Sequence, residues 1–465
     1  MARTRSRNRK LAALIKEAHW SQAQLAAALV RVAMEHGARE FAGVGRSHVS
    51  HWVRGTQPSG RAPELLCESL SRRLGRTVTT EDAGFSRSPG SRGIVVDWHT
   101  DTLTALADLG GADLDMERRQ VLSTATYSVT ALALPGAAWW QSKARQDGRE
   151  KSATRGVGRG EVDSVRDMVS LFSRMDQRHG GGHARTAAVQ YLTSDVAGYL
   201  KGRFATDRVR REMFSAAGEL AYVSGWMAFD NSEHAIAQRY FVLAVKLAAE
   251  ADDGPMAGHV LRAMAHQAVD LGQPRSALDL ASASMAGERY STAAPRERAL
   301  LGVVHARSLA AVGESSAAAA ALVRAEDDLA AARPGDEEPE RVFFFQEASL
   351  AHETACTLRD CGDLDGALRQ FSRSARTRKT STFTRTHAVT LGYLGQVQIR
   401  QGNLEEACGS WAQALDSMDG VRSGRTRRTA QEMRAALSPF RKRGVRVATE
   451  IDARARAYLE TAGSR

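Results

Sequence analysis

The chain has 465 residues, more than one ordinary domain of roughly 100–200 residues, with 43% apolar and 6% aromatic residues. Its alanine-rich, proline-poor composition favours helices joined by glycine-punctuated turns, and no stretch keeps the period-2 alternation that a half-buried sheet requires. Of the net charge of +11, residues 1–76 carry +9, from 14 Lys+Arg against 5 Asp+Glu, so a basic head precedes a nearly neutral body.

A charge concentration of this kind is the electrostatic footprint of a nucleic-acid-binding module, although a disordered basic tail would show it too. The pattern decides. Residues 8–18 read as a helix with Leu11, Leu14 and Ile15 on one face. Ser21 is placed to cap a second helix running towards Gly37, its hydroxyl accepting an otherwise orphaned backbone N–H. After the connector AREFAGVG comes a short third helix, in which Val49, Trp52 and Val53 share one face. Ser47, Ser50, His51 and Arg54 fall at i, i+3, i+4 and i+7 on the other. Donors and acceptors in that array suit the reading of major-groove base edges, with Arg46 and His48 beside them. Gly55 ends the helix, and Thr56, Gln57 and Arg61 are placed to hold phosphates. A fourth helix, APELLCESLSRRLG, offers Leu65, Leu66, Leu70 and Leu74 to the core.

This four-helix module, and above all SHVSHWVRGTQP, resembles the helix-turn-helix of phage-repressor-like regulators. It departs from them in about fifteen residues, VRVAMEHGAREFAGV, between the short second helix of that family and its third. An extended second helix or a longer turn would absorb them.

Residues 86–93 (SRSPGSRG) read as a linker, residues 97–134 as two helices, and residues 141–160 as a basic, flexible connector. Domains are therefore expected at 1–85, at 86–160 (linker and connecting helices) and at 161–465. Arg118-Arg119-Gln120-Val121-Leu122 imitates a twin-arginine signal, but stands behind a folded domain, and the apolar run after it is too short to span a membrane. Gly156, Gly158 and Gly160 lack the preceding strand and following Lys-Ser/Thr of a phosphate loop. His179-Gly-Gly-Gly-His183 reads as a helix–helix turn. Cys67, Cys356, Cys361 and Cys408 show no zinc spacing and read as reduced thiols. Neither a metal nor a cofactor is expected, and no catalytic constellation is found.

The body is periodic. Ser232, Gly272, Gly313, Gly362 and Gly402 are spaced 40, 41, 49 and 40 apart. Seven residues before each stands a small residue (Gly225, Ala265, Ala306, Ala355, Gly395), and five after each stands alanine. Phe241, Ala281, Leu322, Phe371 and Trp411 follow at plus nine, and Ala or Ser at plus twelve. Small residues let two antiparallel helices approach closely, while the residue at plus nine fills the gap to the next hairpin. Gly182 opens a weaker copy, with Ala187, Tyr191 and Ser194 in place and Met175 where a small residue belongs. Residues 426–460 read as a terminal capping pair.

The pattern resembles the tetratricopeptide repeat, whose arrays stack into a solenoid with a concave binding surface. The fold class expected is thus all-α: a phage-repressor-like bundle followed by a tetratricopeptide-like α-solenoid. By that resemblance the groove-facing residues are Tyr222, Trp226 and Asp230; Arg262, His266 and Asp270; Arg307; His352 and Arg359; Gln396 and Arg400. Their basic character would suit an acidic segment or a free carboxylate. Through GWMAFD…AQRYF (225–241) and DMERRQVLSTATYSVTALALP (115–135) nearly the whole chain resembles actinobacterial regulators joining a helix-turn-helix to tetratricopeptide repeats. That group includes negative regulators of Streptomyces differentiation and antibiotic production. The resemblance implies a cytoplasmic homodimer that binds double-stranded DNA, and whose repeats sense a peptide or protein. The competing expectation is a tetratricopeptide adaptor or scaffold without sequence-specific DNA binding.

Overall fold

The computed structural model describes residues 7–35, 38–74, 78–85, 97–115, 127–145, 155–333 and 335–463. Gly37, the linker 86–93, the arginine pair at 118–119 with the helix expected after it, and residues 146–154 of the connector lie outside the described residues. Among those described, regular structure is helical apart from one two-residue parallel pairing of β1 (Gly156–Val157) with β2 (Arg203–Phe204). No periodicity signals so short a pairing. The chain divides into two compact units, one comprising 1–99 with 111–135 and the other 100–110 with 136–465.

In the first unit, α1 (Arg9–Glu17) is capped by Asn8, whose side chain accepts the Leu11 N–H at 3.0 Å. In α2 (Gln22–Glu35) Ser21 and Gln24 cap reciprocally: Ser21 Oγ accepts from Gln24 N at 3.2 Å, and Gln24 Oε1 accepts from Ser21 N at 2.7 Å. A 3₁₀ turn, Arg39–Phe41, leads to α3 (Arg46–Val53), and α4 (Ala62–Leu74) follows. The extra residues before α3 are thus absorbed both ways, by a long second helix and by a connector with its own turn. Leu11, Leu14, Ile15, Leu25, Leu29, Val49, Trp52, Val53, Leu65, Leu66 and Leu70 form one buried core.

In the second unit, α5 (Thr102–Leu114), whose last residues fall in the first unit, and α6 (Ala137–Ala144) precede α7 (Arg159–His179). Next, α8 (Arg185–Tyr191) continues through a π-helical turn, Leu192–Val196, into α9 (Ala197–Leu200). Six helical pairs follow. They are α10 (Asp207–Asp230) with α11 (His234–Glu250), α12 (Gly254–Asp270) with α13 (Pro274–Ser284), and, after the single turn α14 (Glu288–Ser291), α15 (Pro295–Ala311) with α16 (Ser315–Ala331). Then come α17 (Glu347–Asp360) with α18 (Leu364–Thr377), α19 (Thr384–Arg400) with α20 (Leu404–Ser417), and α21 (Gly424–Lys442) with α22 (Arg446–Gly463).

The sequence register is reproduced. Ser232, Gly272, Gly313, Gly362 and Gly402 all take positive φ, between 66° and 91°, at the turns inside their hairpins. The alanines at plus five are fully buried. Where the residue at minus seven is glycine, an aromatic ring occupies the space: a Cβ on Gly225 would lie 2.9 Å from Phe241, and one on Gly395 would lie 2.4 Å from Trp411. The weaker first copy is different. Its left-handed residue is Gly180 (φ 85°), not Gly182, so Ala187 and Ser194 are exposed while Ala188, Val189 and Leu192 are buried.

The array does not stay open. Its end returns to its beginning: Gly182 N donates to Arg422 O at 3.0 Å, and Arg422 N donates to His179 O at 2.8 Å. A Cβ on Gly424 would strike the backbone of Asn231. Arg427 donates to the Asn231 side chain at 3.3 Å. Six hairpins therefore close on themselves, with their first helices turned inward.

The long spacing of 49 has a specific structure. Residues 335–346 leave the hairpin stack and fold across the interior. Arg341 reaches Glu297 at 2.7 Å and Glu219 at 3.1 Å, Arg296 pairs with Glu338, and Arg174 pairs with Glu340 at 2.6 Å. Phe344 and Phe345 follow into the centre.

Candidate functional sites

The first site is the outward face of α3. Val49, Trp52 and Val53 are buried and fix the helix on its core. Arg46, Ser47, His51 and Arg54 are exposed, Ser50 is half-buried, and Gln57 is exposed beyond the helix end. Gly55, at φ 102°, breaks the helix, and Thr56 N donates to His51 O at 3.0 Å, turning the chain so that Thr56 follows the same end. Arg61 is half-buried, at the start of α4. One expected reader has another duty: His48 Nδ1 accepts the Gly45 N–H at 3.2 Å and so caps α3.

The second site is the closed interior of the repeats. The residues expected to face an open groove are for the most part shut inside. Asp230, Arg262, His266, Arg307 and His352 are all no more than 5% exposed, and Tyr222 and Asp270 are also enclosed. Arg359 is half-buried, over the Tyr393 ring and paired with Asp360. Gln396 donates to Glu432, and only Arg400 is fully exposed. A concave surface is solvated when a solenoid is open; closure turns the same positions into a core, so they must satisfy one another.

They do so as a polar network. Arg307 pairs with Asp270 at 2.7 Å and Glu353 at 3.6 Å. Burial would raise the Asp270 pKa, but the Arg307 guanidinium outweighs it and holds the carboxyl well below its usual range. Glu297 is likewise pushed up by burial and pulled down further by Arg341 and His259, to about 2. Burial, then Arg262, lowers His259 to about 3, so the ring is neutral; its Nδ1–H donates to Glu297 at 3.1 Å and its Nε2 accepts from Arg262 at 3.0 Å. His266 and His352 are also held well below their usual value, chiefly by burial.

At the centre lies a cavity of about 60 Å³, several times what one water requires (~10–15 Å³). Trp226, Arg262, His266 and His352, all expected from the sequence, line it. Arg378, Arg385 and Arg425 line it too and were not expected, because they stand at a helix end or in a first turn, outside the mapped repeat positions. Leu300, Val304, Phe344, Phe345 and Val389 form its apolar wall. Burial, partly opposed by Glu353 and aided by Arg385, drags the Arg378 guanidinium down to about 10, which leaves it charged at neutral pH.

His179 and His183 lie 4.8 Å apart, their rings tilted by 34°, across the turn between α7 and α8, and no group of three or more metal-ligating side chains occurs among the described residues. Gly158 N donates to Glu161 Oε2 at 2.8 Å, so the glycine-rich stretch serves as a helix cap. Cys67, Cys356 and Cys408 are buried, Cys361 half-buried, and all four are free. No described helix is long and apolar enough to cross a membrane.

A family profile described as the SP15 N-terminal domain matches residues 11–86, the span of α1 to α4 and the short segment after them. No curated protein matches the chain.

Proposed function

We propose that the chain is a sequence-specific, DNA-binding transcriptional regulator of the cytoplasm, working as a homodimer, whose repeat unit senses a signal. The observation that carries this reading is the outward row of Ser47, Ser50, His51 and Arg54 on a short helix pinned by Val49, Trp52 and Val53, in a head that holds +9 of the net charge. On this reading the first unit is a helix-turn-helix bundle of the phage-repressor kind, with α3 entering the major groove. The second is a tetratricopeptide-like solenoid of the type joined to such heads in actinobacterial regulators.

The deciding experiment is selection of the full-length protein on random double-stranded DNA at near-physiological salt. Recovery of one enriched motif, lost on His51→Ala, supports the reading. Uniform, steeply salt-dependent retention without enrichment would leave the head a non-specific polyanion binder and refute it.

A further inference from the structure

We propose that the closed interior of the repeats is a receptor site for a small amphiphilic anion: one carboxylate or phosphate group on a compact apolar body. This deepens the sensor reading and takes its biological meaning from it, but its chemistry stands on the cavity alone.

Charge is the first argument. Four guanidiniums, those of Arg262, Arg378, Arg385 and Arg425, face this cavity against the single carboxylate of Glu353, and Glu353 is already engaged by Arg307. Arg385 is matched by Asp176 and Asp230. Arg425 donates to Tyr393 and is attracted by Asp270 and Asp230, whereas Arg262 and Arg378 have no carboxylate in ion-pair contact among the described residues. Arg262 is 2% exposed and donates to Tyr222 Oη and meets His259, both neutral. Arg378 is 6% exposed and donates to Ala348 O, Ser349 Oγ and Ser374 Oγ; the one carboxylate that attracts it, Glu353, lies beyond ion-pair contact and already faces Arg307. A buried charge without a counter-charge costs several kcal/mol of solvation, and a fold retains such a pair most simply where an anion completes it.

Hydrogen bonding is the second. Arg262 Nε, Arg378 Nε, Arg385 Nε and Trp226 Nε1 are buried donors without a hydrogen-bond partner, against one such acceptor, Glu353 Oε2. Buried donors are nearly always satisfied, so an excess of four over one on residues lining one cavity marks a place for acceptor oxygens.

Shape is the third. The segment 335–346 crosses the interior, and the array's ends meet, so an extended peptide finds no open groove. A larger hollow of about 250 Å³ beside α7 carries the carboxylates of Glu219, Asp253 and Glu340 and does not suit an anion, whereas the central hollow has its guanidiniums backed by Leu300, Val304, Phe344 and Val389. That combination fits an oxyanion at one end and a hydrocarbon at the other.

The test uses full-length protein, without DNA, so its outcome is independent of operator binding. Phenylacetate and phenylphosphate separate the carboxylate from the phosphate source, and phenylacetamide is the neutral control. Calorimetry is expected to give a Kd below about 1 mM for at least one anion and no binding of the amide. Arg378→Met and Arg262→Met should each weaken it by about tenfold or more, with the helical circular dichroism kept. Should Arg378→Met lose its helical signal, Arg378→Lys, which keeps charge but not the forked geometry, serves in its place and should also weaken binding. Failure of both anions to bind, equal binding of the amide, undiminished affinity in the folded variants, or Arg378-dependent binding of an acidic decapeptide alone would each overturn the proposal.

Discussion

Arg385 and Asp230, 155 residues apart, meet at 2.7 Å with side chains 3% and 0% exposed. The same guanidinium holds Asp176 at 3.1 Å, so one arginine of the fifth hairpin clasps α7 and α10. Removing it strands two buried carboxylates. Arg385→Met is expected to cost about 3–5 kcal/mol in urea unfolding, and the triple variant with Asp176→Asn and Asp230→Asn should recover most of that loss. Equal stability of the single variant and the parent would show that packing alone closes the array.

The same cluster sets a pH dependence. Burial raises Asp176, Arg385 opposes this and Asp230 adds to it, leaving the carboxyl at about 7 against an ordinary 3.8. Between those values the folded chain keeps a proton that the unfolded chain has lost. This group's contribution to stability therefore falls as pH rises from about 4 to 7. Glu297 works in the opposite sense: it is depressed, so its contribution is present above 4.5 and is lost as pH falls towards about 2. Urea midpoints measured from pH 4 to 8 should decline less steeply in Asp176→Asn than in the parent.

On α3, position and role can be separated. Arg54→Ala should weaken binding to all DNA sequences about equally, whereas Ser50→Ala or His51→Ala should relax preference at one base pair by about 1–3 kcal/mol. His48→Ala removes a cap, so it should cost about 1 kcal/mol of stability in the head and leave base preference alone. Binding-site selection on the four variants distinguishes these outcomes, and identical motifs and affinities throughout would exclude α3 as the reader.

Inside the repeats, Gly395→Ala drives a methyl into the Trp411 ring, and about 1–3 kcal/mol is expected to be lost. Trp411→Ala should cost about 3–5 kcal/mol by leaving a cavity in its place. Thermal melting of the two variants checks the pairing, because the double variant should then lose less than the sum.

What the sequence disclosed was local. The left-handed residues at 232, 272, 313, 362 and 402 and the alanines at plus five repeat along the chain, so period and chemistry revealed them together. The α3 face was legible for the same reason, since Val49, Trp52 and Val53 recur at helical spacing. Gly182 misled because three neighbouring glycines offer three registers, and only the backbone of Gly180 takes the left-handed turn. Closure was hidden: nothing in the neighbourhood of Arg385 or Arg422 names a partner 155 or 240 residues earlier, and pairing at such range is decided by tertiary packing. The excess in the 49-residue spacing was visible, but its inward course rests on Arg341 finding Glu219 and Glu297, which no periodicity encodes.

Contact between the first and last hairpins changes how such a structure comes apart. A linear stack touches only nearest neighbours, so it frays from whichever terminus is weakest and dissolves unit by unit. Here the ends are joined through Arg422 against His179 and Gly182, Gly424 and Arg427 against Asn231, and the Arg385 clasp. Loss of any one hairpin then opens the loop and exposes two fresh edges at once, which makes the hairpins melt together rather than in succession.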